Sequence, residues 1–303
     1  MKNLLTTAIT FLLSISCLAQ KEKVELNLTK GQTYVQRMVI DMTIGQTVAE
    51  QQMDIKMTMN AKITYRVINV MDSVYDLEVK YENLSMKMGM PTGEMNFDSE
   101  KKDANDMMST MLSSMKNNPF NLKMTKSGHV IEVKNIENLF NFDKFPQLTQ
   151  DQKEQFKTQL SESYGEKTFK SNMESSMAIF PKGKVGKGDK WTVNGKLESG
   201  MSADIVTVYE LKEIMPDYFV ISGQSSINTL SKEYIQKSGM DMRYDLKGTM
   251  TAEIKIDKNT GWIIESKMNQ GISGIMEIKD NERMPGGMKI PMKLDNKITV
   301  TDK

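Results

Sequence analysis

Met242-Arg243-Tyr244-Asp245-Leu246-Lys247-Gly248-Thr249-Met250-Thr251-Ala252-Glu253-Ile254-Lys255-Ile256-Asp257 changes character at every residue. The even positions are apolar or small, and the odd positions are charged or threonine. A period of two places each set on one side of an extended strand. A helix would scatter both sets around its axis, so this stretch decides for β-structure. Met53, Ile55, Met57, Met59, Ala61, Ile63, Tyr65 and Val67 repeat the pattern, as do Met38-Ile40-Met42-Ile44 and Met292-Leu294-Asn296-Ile298-Val300 at every second position. The two longest runs predict strands about twice the usual length. With one dry and one wet face they belong to antiparallel sheet.

Two segments break this rhythm. In Asp103–Met115 the residues Ala104, Met107, Met108, Met111, Leu112 and Met115 form a stripe at helical spacing, with Asp103 as the expected N-cap. Thr149 with Gln152 matches a capping box. Phe156, Leu160 and Tyr164, then Phe169, Met173 and Met177, carry an apolar stripe as far as Pro181. The stretch 149–179 is therefore expected to be helical.

The first residues read as an export signal. Met1-Lys2-Asn3 is basic, Leu4–Ser16 is apolar but too short to span a bilayer, and Cys17-Leu18-Ala19 has the small residues of a cleavage site. Cleavage is expected after Ala19, leaving a protein of the periplasm, the outer surface or the extracellular space. Acylation at Cys17 is the weaker reading, because Ser14 stands where a lipidation signal has an aliphatic residue. Of 40 basic and 39 acidic side chains, the signal removes Lys2 and no acid. The balanced remainder argues against nucleic acid as a partner. No later segment is apolar for long enough to be a transmembrane helix. Cys17 is the only cysteine, so the exported chain would have no disulfide and must rely on packing.

Three stretches recur in the same order. Lys30-Gly31-Gln32-Thr33-Tyr34-Val35 resembles Lys187-Gly188-Asp189-Lys190-Trp191-Thr192-Val193. Tyr65 with Val70-Met71-Asp72-Ser73-Val74-Tyr75 resembles Tyr209 with Ile214-Met215-Pro216-Asp217-Tyr218-Phe219. Lys126-Ser127-Gly128-His129-Val130-Ile131-Glu132 resembles Asn259-Thr260-Gly261-Trp262-Ile263-Ile264-Glu265, a glycine hairpin entering a strand. The expected organisation is a signal at 1–19, an N-terminal β-rich half at 20–140 with an inserted helix at 103–115, a helical connector at 141–180 and a C-terminal β-rich half at 181–303.

The run from Pro181 to Trp191, the long strands after it and the Asn259-Thr260-Gly261-Trp262 turn resemble an uncharacterised domain-of-unknown-function family of secreted bacterial proteins. Its marks are a signal peptide, a V-x-x-G-D-x-W strand entry and a T-G hairpin. The first half departs from the pattern, with Gln32 and Tyr34 in place of aspartate and tryptophan. These are turn and strand-entry residues, so the resemblance implies a backbone and no catalytic residue.

Chemistry is thinly represented. One histidine, His129, stands at a hairpin corner, and its counterpart in the echoed stretch is Trp262, which cannot act as a base. Cysteine–histidine, serine–histidine–aspartate and multi-histidine zinc sites are thereby starved. A carboxylate-only hydrolase is a residual class, with no acid in a recognisable motif. Asp257-x-Asn259-x-Gly261 opens like a calcium loop but lacks the remaining ligands, and suits a tight turn. Gly183–Lys190 lacks the ending of a phosphate loop. No catalytic residue, cofactor or metal site is assigned.

Methionine is the anomaly, at 28 residues. It recurs in nearly every strand in phase with Ile, Leu and Val, which suits a pliable apolar wall. The expected fold is α+β and β-dominated. It consists of long twisted antiparallel sheets of half-barrel type in two pseudo-repeated halves, each half a curved sheet, with helices packed on or between them. The expected function is non-enzymatic binding of a lipid or other apolar ligand in a concavity lined by Met57, Met59, Met107, Met111, Met242, Tyr244 and Met250, with the 103–115 helix as plug or lid. The alternatives are an envelope structural or interaction module with a filled core, and a Cu(I) protein using Met86, Met88 and Met90. A local metal site should concentrate its donors, whereas a general filler should spread them.

Overall fold

A computed structural model describes residues 21–48, 51–90, 93–101, 103, 106–140, 145, 148–155, 157, 165–198, 202–229, 233–237, 239–282 and 284–303. The signal at 1–19 with Cys17, and Ala104, Phe156, Leu160 and Tyr164 of the helical stripes, lie outside the described residues.

Among the described residues, thirteen antiparallel strands form one sheet. They are β1 (Thr33–Val48), β2 (Gln51–Met71), β3 (Val74–Met90), β4 (Gly93–Asp98), β5 (Phe120–Thr125), β6 (Val130–Lys134), β7 (Lys190–Glu198), β8 (Ser202–Ile214), β9 (Tyr218–Thr229), β10 (Ile235–Lys237), β11 (Met240–Asp257), β12 (Ile263–Ile278) and β13 (Met288–Thr301). The order is β6-β5-β3-β2-β1-β13-β12-β11-β9-β8-β7, with β4 beside β3 and β10 beside β11. Both alternating stretches are strands, β2 and β11, of 21 and 18 residues. The halves do not form separate curved sheets. Strand β13 pairs with both β12 and β1, so the ladder runs unbroken from one half into the other. Pairing between distant strands is set by tertiary register and leaves no mark on the period of either strand.

The helices are α1 (Met107–Met115), α2, described over 150–155, and α3 (Glu166–Met177), with a 3-10 turn at Ile136–Leu139. The cap of α1 is Asp106, not Asp103: its Oδ1 accepts from the Ser109 amide at 3.0 Å, and Lys101 holds its other oxygen at 2.6 Å. Thr149 and Gln152 form the reciprocal capping box, with the Thr149 amide donating to Gln152 Oε1 at 2.9 Å and the Gln152 amide to Thr149 Oγ1 at 3.3 Å.

The echoed stretches occupy corresponding places. Tyr34 pairs with Tyr65 between β1 and β2, and Trp191 with Tyr209 between β7 and β8. The Gly31 amide donates to the Val67 carbonyl at 2.8 Å, and the Gly188 amide to that of Leu211 at 2.7 Å. Bulges follow at Val67/Asn69 and at Leu211/Glu213. The glycine hairpins join β5 to β6 and β11 to β12, with bulges at Lys123/Met124 and Lys255/Ile256.

Helix α3 shows how strongly the sheet coils. The ordered path has eleven strands, so a flat sheet would separate β6 from β7 by about 48 Å at the usual strand spacing. Yet α3, of 12 residues and about 18 Å in length, touches both. Lys170 Nζ donates to the Ile131 carbonyl of β6 at 2.9 Å, and Ser171 Oγ donates to the Lys196 carbonyl of β7. The sheet therefore curls until its edges meet on one helix, which also satisfies edge carbonyls that would otherwise recruit another strand.

The main core lies inside this curl. Phe169, Met173 and Met177 of α3 are buried against inward residues such as Tyr65, Leu77, Phe120, Ile221 and Ile254, with Val24, Leu26 and Leu28 of the segment before β1. A smaller cluster of Ala203, Ile205, Ile227, Leu246 and Ile272 lies on the same face toward the opposite strand ends.

Candidate functional site

Between those two clusters the inner face of β1–β4 bears apolar side chains that belong to neither. The register aligns them in two adjacent rows. Met42, Met57, Met88 and Met95 are successive cross-strand partners, and beside them run Ile40, Met59, Met86 and Phe97. These eight side chains are half-buried except Met95, which is 36 % exposed. No charged residue stands in either row, because the alternation sends Asp41, Lys56 and Lys87 to the other face.

The first row continues on the other side as Asn296, Gln270, Met250, Ser225 and Thr207. Asn296 Nδ2 donates to Gln270 Oε1 at 2.7 Å, and the Thr207 and Ser225 hydroxyls share a hydrogen bond of 2.8 Å. Asn296 Oδ1 is buried and has no partner among the described residues. The apolar wall thus ends at Met42 against a polar seam, one of whose acceptors is unsatisfied.

Of the residues expected to line a concavity, Met57 and Met59 stand in these rows. Met250 shares the Met57 row, four strands and about 19 Å away along the sheet, and packs with Tyr244 against the smaller cluster. Met242 Sδ accepts from the Tyr244 hydroxyl at 3.7 Å. In α1, Met107 is 39 % exposed and Met111 half-buried, while Leu112 and Met115 meet the main core. Met42, Met88 and Met95 were not among the expected lining residues. Their alternation places them on a face, but only the register puts them beside Met57.

The titratable groups lie elsewhere. His129 Nδ1 is bonded to Glu174 of α3 on the surface. Burial drives the Tyr65 and Tyr81 hydroxyls far above the ordinary tyrosine range and lifts Tyr209 to about 12. All three are neutral at any physiological pH. The Asp257 carboxylate is used by its own hairpin, with Oδ1 accepting from the amides of Asn259 and Thr260 and from Thr260 Oγ1 at 2.7–3.1 Å. Among the described residues no group of three or more His, Cys, Asp or Glu side chains could hold a metal, and no helix is long and apolar enough to cross a membrane.

The fold and this wall define a class: a β-dominated protein built on one coiled antiparallel sheet with an apolar inner face. The chain belongs to DUF6263, a family of unknown function, whose model matches residues 72–263. No curated protein matches the sequence. Among solved structures, a lipovitellin described for its lipid–protein interactions is similar at 7 % identity and a TM-score of 0.48, covering 91 % of this chain and 25 % of that one. The chain thus spans about a quarter of that protein's length. An outer membrane channel from Pseudomonas putida F1 matches at 8 % identity and a TM-score of 0.23, covering 91 % and 97 % of the two chains. OmpF from Salmonella typhi, in complex with daunomycin, matches at 7 % and 0.23, covering 91 % and 99 %. Likenesses this weak carry no functional argument.

Proposed function

We propose that this is a non-enzymatic binding protein that takes an apolar ligand, a lipid or similar molecule, onto the Met-lined inner wall of β1–β4. One observation supports the reading: the two rows are apolar, half-buried apart from Met95, and outside both core clusters. Apolar surface left unpacked inside a fold forgoes about 25 cal/mol per Å², which a ligand recovers on binding. Methionine suits that use, since its unbranched thioether moulds to irregular partners. We further propose export with cleavage after Ala19, which N-terminal sequencing of the protein from its source cells checks directly.

Native mass spectrometry of the full chain tests the binding. The expected result is a retained apolar adduct, or uptake of an added fluorescent fatty acid, that Met57→Asp abolishes while the circular dichroism stays unchanged. A protein that emerges empty and ignores the fatty acid overturns the proposal.

A further inference from the structure

The methionines of the wall meet the condition that separates a metal site from a filler, because they are concentrated. Met57 and Met59 stand two apart on β2, Met86 and Met88 two apart on β3, and the register pairs Met57 with Met88 and Met59 with Met86. Direct antiparallel partners have Cβ atoms about 4.5–5.5 Å apart, and same-face neighbours along a strand about 7 Å. Four sulfurs on flexible three-torsion stems can converge from such a square onto one point above the sheet. Met42 and Met95 flank the square, as partners of Met57 and Met88.

We propose that Met57, Met59, Met86 and Met88 form a thioether site for a soft monovalent cation, Cu(I) or Ag(I). Neutral sulfur donors select such ions over hard divalent ones. The surrounding rows carry no carboxylate or imidazole to attract a harder metal. A single charge is also less costly than a double one to bring against an apolar wall. The four side chains are half-buried, so none is sealed inside the core. Met90, the third methionine of the β3 run, lies beyond the square, opposite Gly93 of β4, and is not needed. This inference is independent of the apolar-ligand reading: it concerns the sulfur atoms, whereas that reading concerns the greasy surface they share with leucine.

The test uses that distinction. The full chain is titrated anaerobically with Cu(I) against bicinchoninate, and separately with Ag(I). The same is done for the M57L/M59L/M86L/M88L variant and for Met71→Leu, whose methionine is exposed on the β2–β3 turn. Leucine keeps volume and apolarity but removes the donors. The expected result is competition for Cu(I) by the native chain and by Met71→Leu, with affinity falling more than about 100-fold in the fourfold variant. Fatty-acid uptake should persist in that variant. Failure of the native chain to compete, or equal affinity in the fourfold variant, overturns the metal site. Loss of fatty-acid uptake in the native chain would overturn only the other reading. Should the fourfold variant unfold, M57L/M88L removes one cross-strand pair with half the perturbation, and unchanged Cu(I) affinity there overturns the proposal equally.

Discussion

Strand β13 closes the path between β12 and β1, whereas helix α3 closes it between β6 and β7. Around these two joints the halves correspond strand for strand, β1-β2-β3-β5-β6 against β7-β8-β9-β11-β12. A segment crosses the glycine hairpin at each. At one, an added Cβ on Gly128 would lie 1.8 Å from the Met177 carbonyl oxygen; at the other, one on Gly261 would lie 2.1 Å from that of Glu25. The tryptophans differ more. Trp262 is 3 % exposed, donates to the Val35 carbonyl at 3.0 Å and contacts the rings of Tyr34 and Tyr65. Trp191 donates to the Ile179 carbonyl at 2.9 Å but is only half-buried. One joint is thus a continuous backbone ladder with an aromatic seal, and the other is a helix held by side chains. The difference teaches that a coiled sheet can be closed without a complete ladder, at the expense of a softer seam.

The largest expected effects fall on the two glycines. Both adopt a positive φ, +78° and +68°, and both sit against backbone. Gly128→Ala and Gly261→Ala should each cost about 4 kcal/mol in urea unfolding. A large cost at only one would break the equivalence of the two crossings. Next, Trp262→Ala should cost about 3–5 kcal/mol, and Trp191→Ala about half that, because less of its surface is buried. Equal costs would mean that the joints are sealed alike.

A smaller effect tests the seam itself. Replacing Lys170 and Ser171 with alanine should cost about 1–2 kcal/mol and speed amide exchange in β6 and β7 while leaving β1 and β13 unchanged. Uniform acceleration would show that α3 is not a local closure. The smallest effect belongs to the ladder joint. Hydrogen bonds from Lys255 and Lys267 hold the Glu265 carboxyl of β12 at about 2, below its ordinary 4.5. Its contribution is therefore complete above pH 4.5 and disappears as pH falls toward 2. Glu265→Gln should flatten that part of the acid-stability profile and leave the neutral region nearly unchanged.

Much of the fold was readable because its cause is local. The alternation of Met53–Val67 and Met242–Asp257 becomes β2 and β11, and the Thr149–Gln152 box forms as spaced. Helix α1 starts three residues later than its spacing predicts, since Asp103 and Asp106 are equivalent caps until Lys101 and the Ser109 amide select one. The candidate site was half legible. Alternation put Met57 and Met59 on the apolar face, but their partners Met42, Met86, Met88 and Met95 depend on how three hairpins and their bulges set the register.

The amino-acid order by itself determined the long alternating strands and their dry faces, where the glycine turns fall and that no cysteine or histidine cluster is present, because each follows from near-neighbour geometry and composition. The tertiary structure alone decided that β13 fuses the halves, that α3 closes the remaining gap, and that a square of methionines stands outside the packed core. Those outcomes rest on contacts between residues far apart in the chain, and a period of two is blind to the identity of the neighbouring strand.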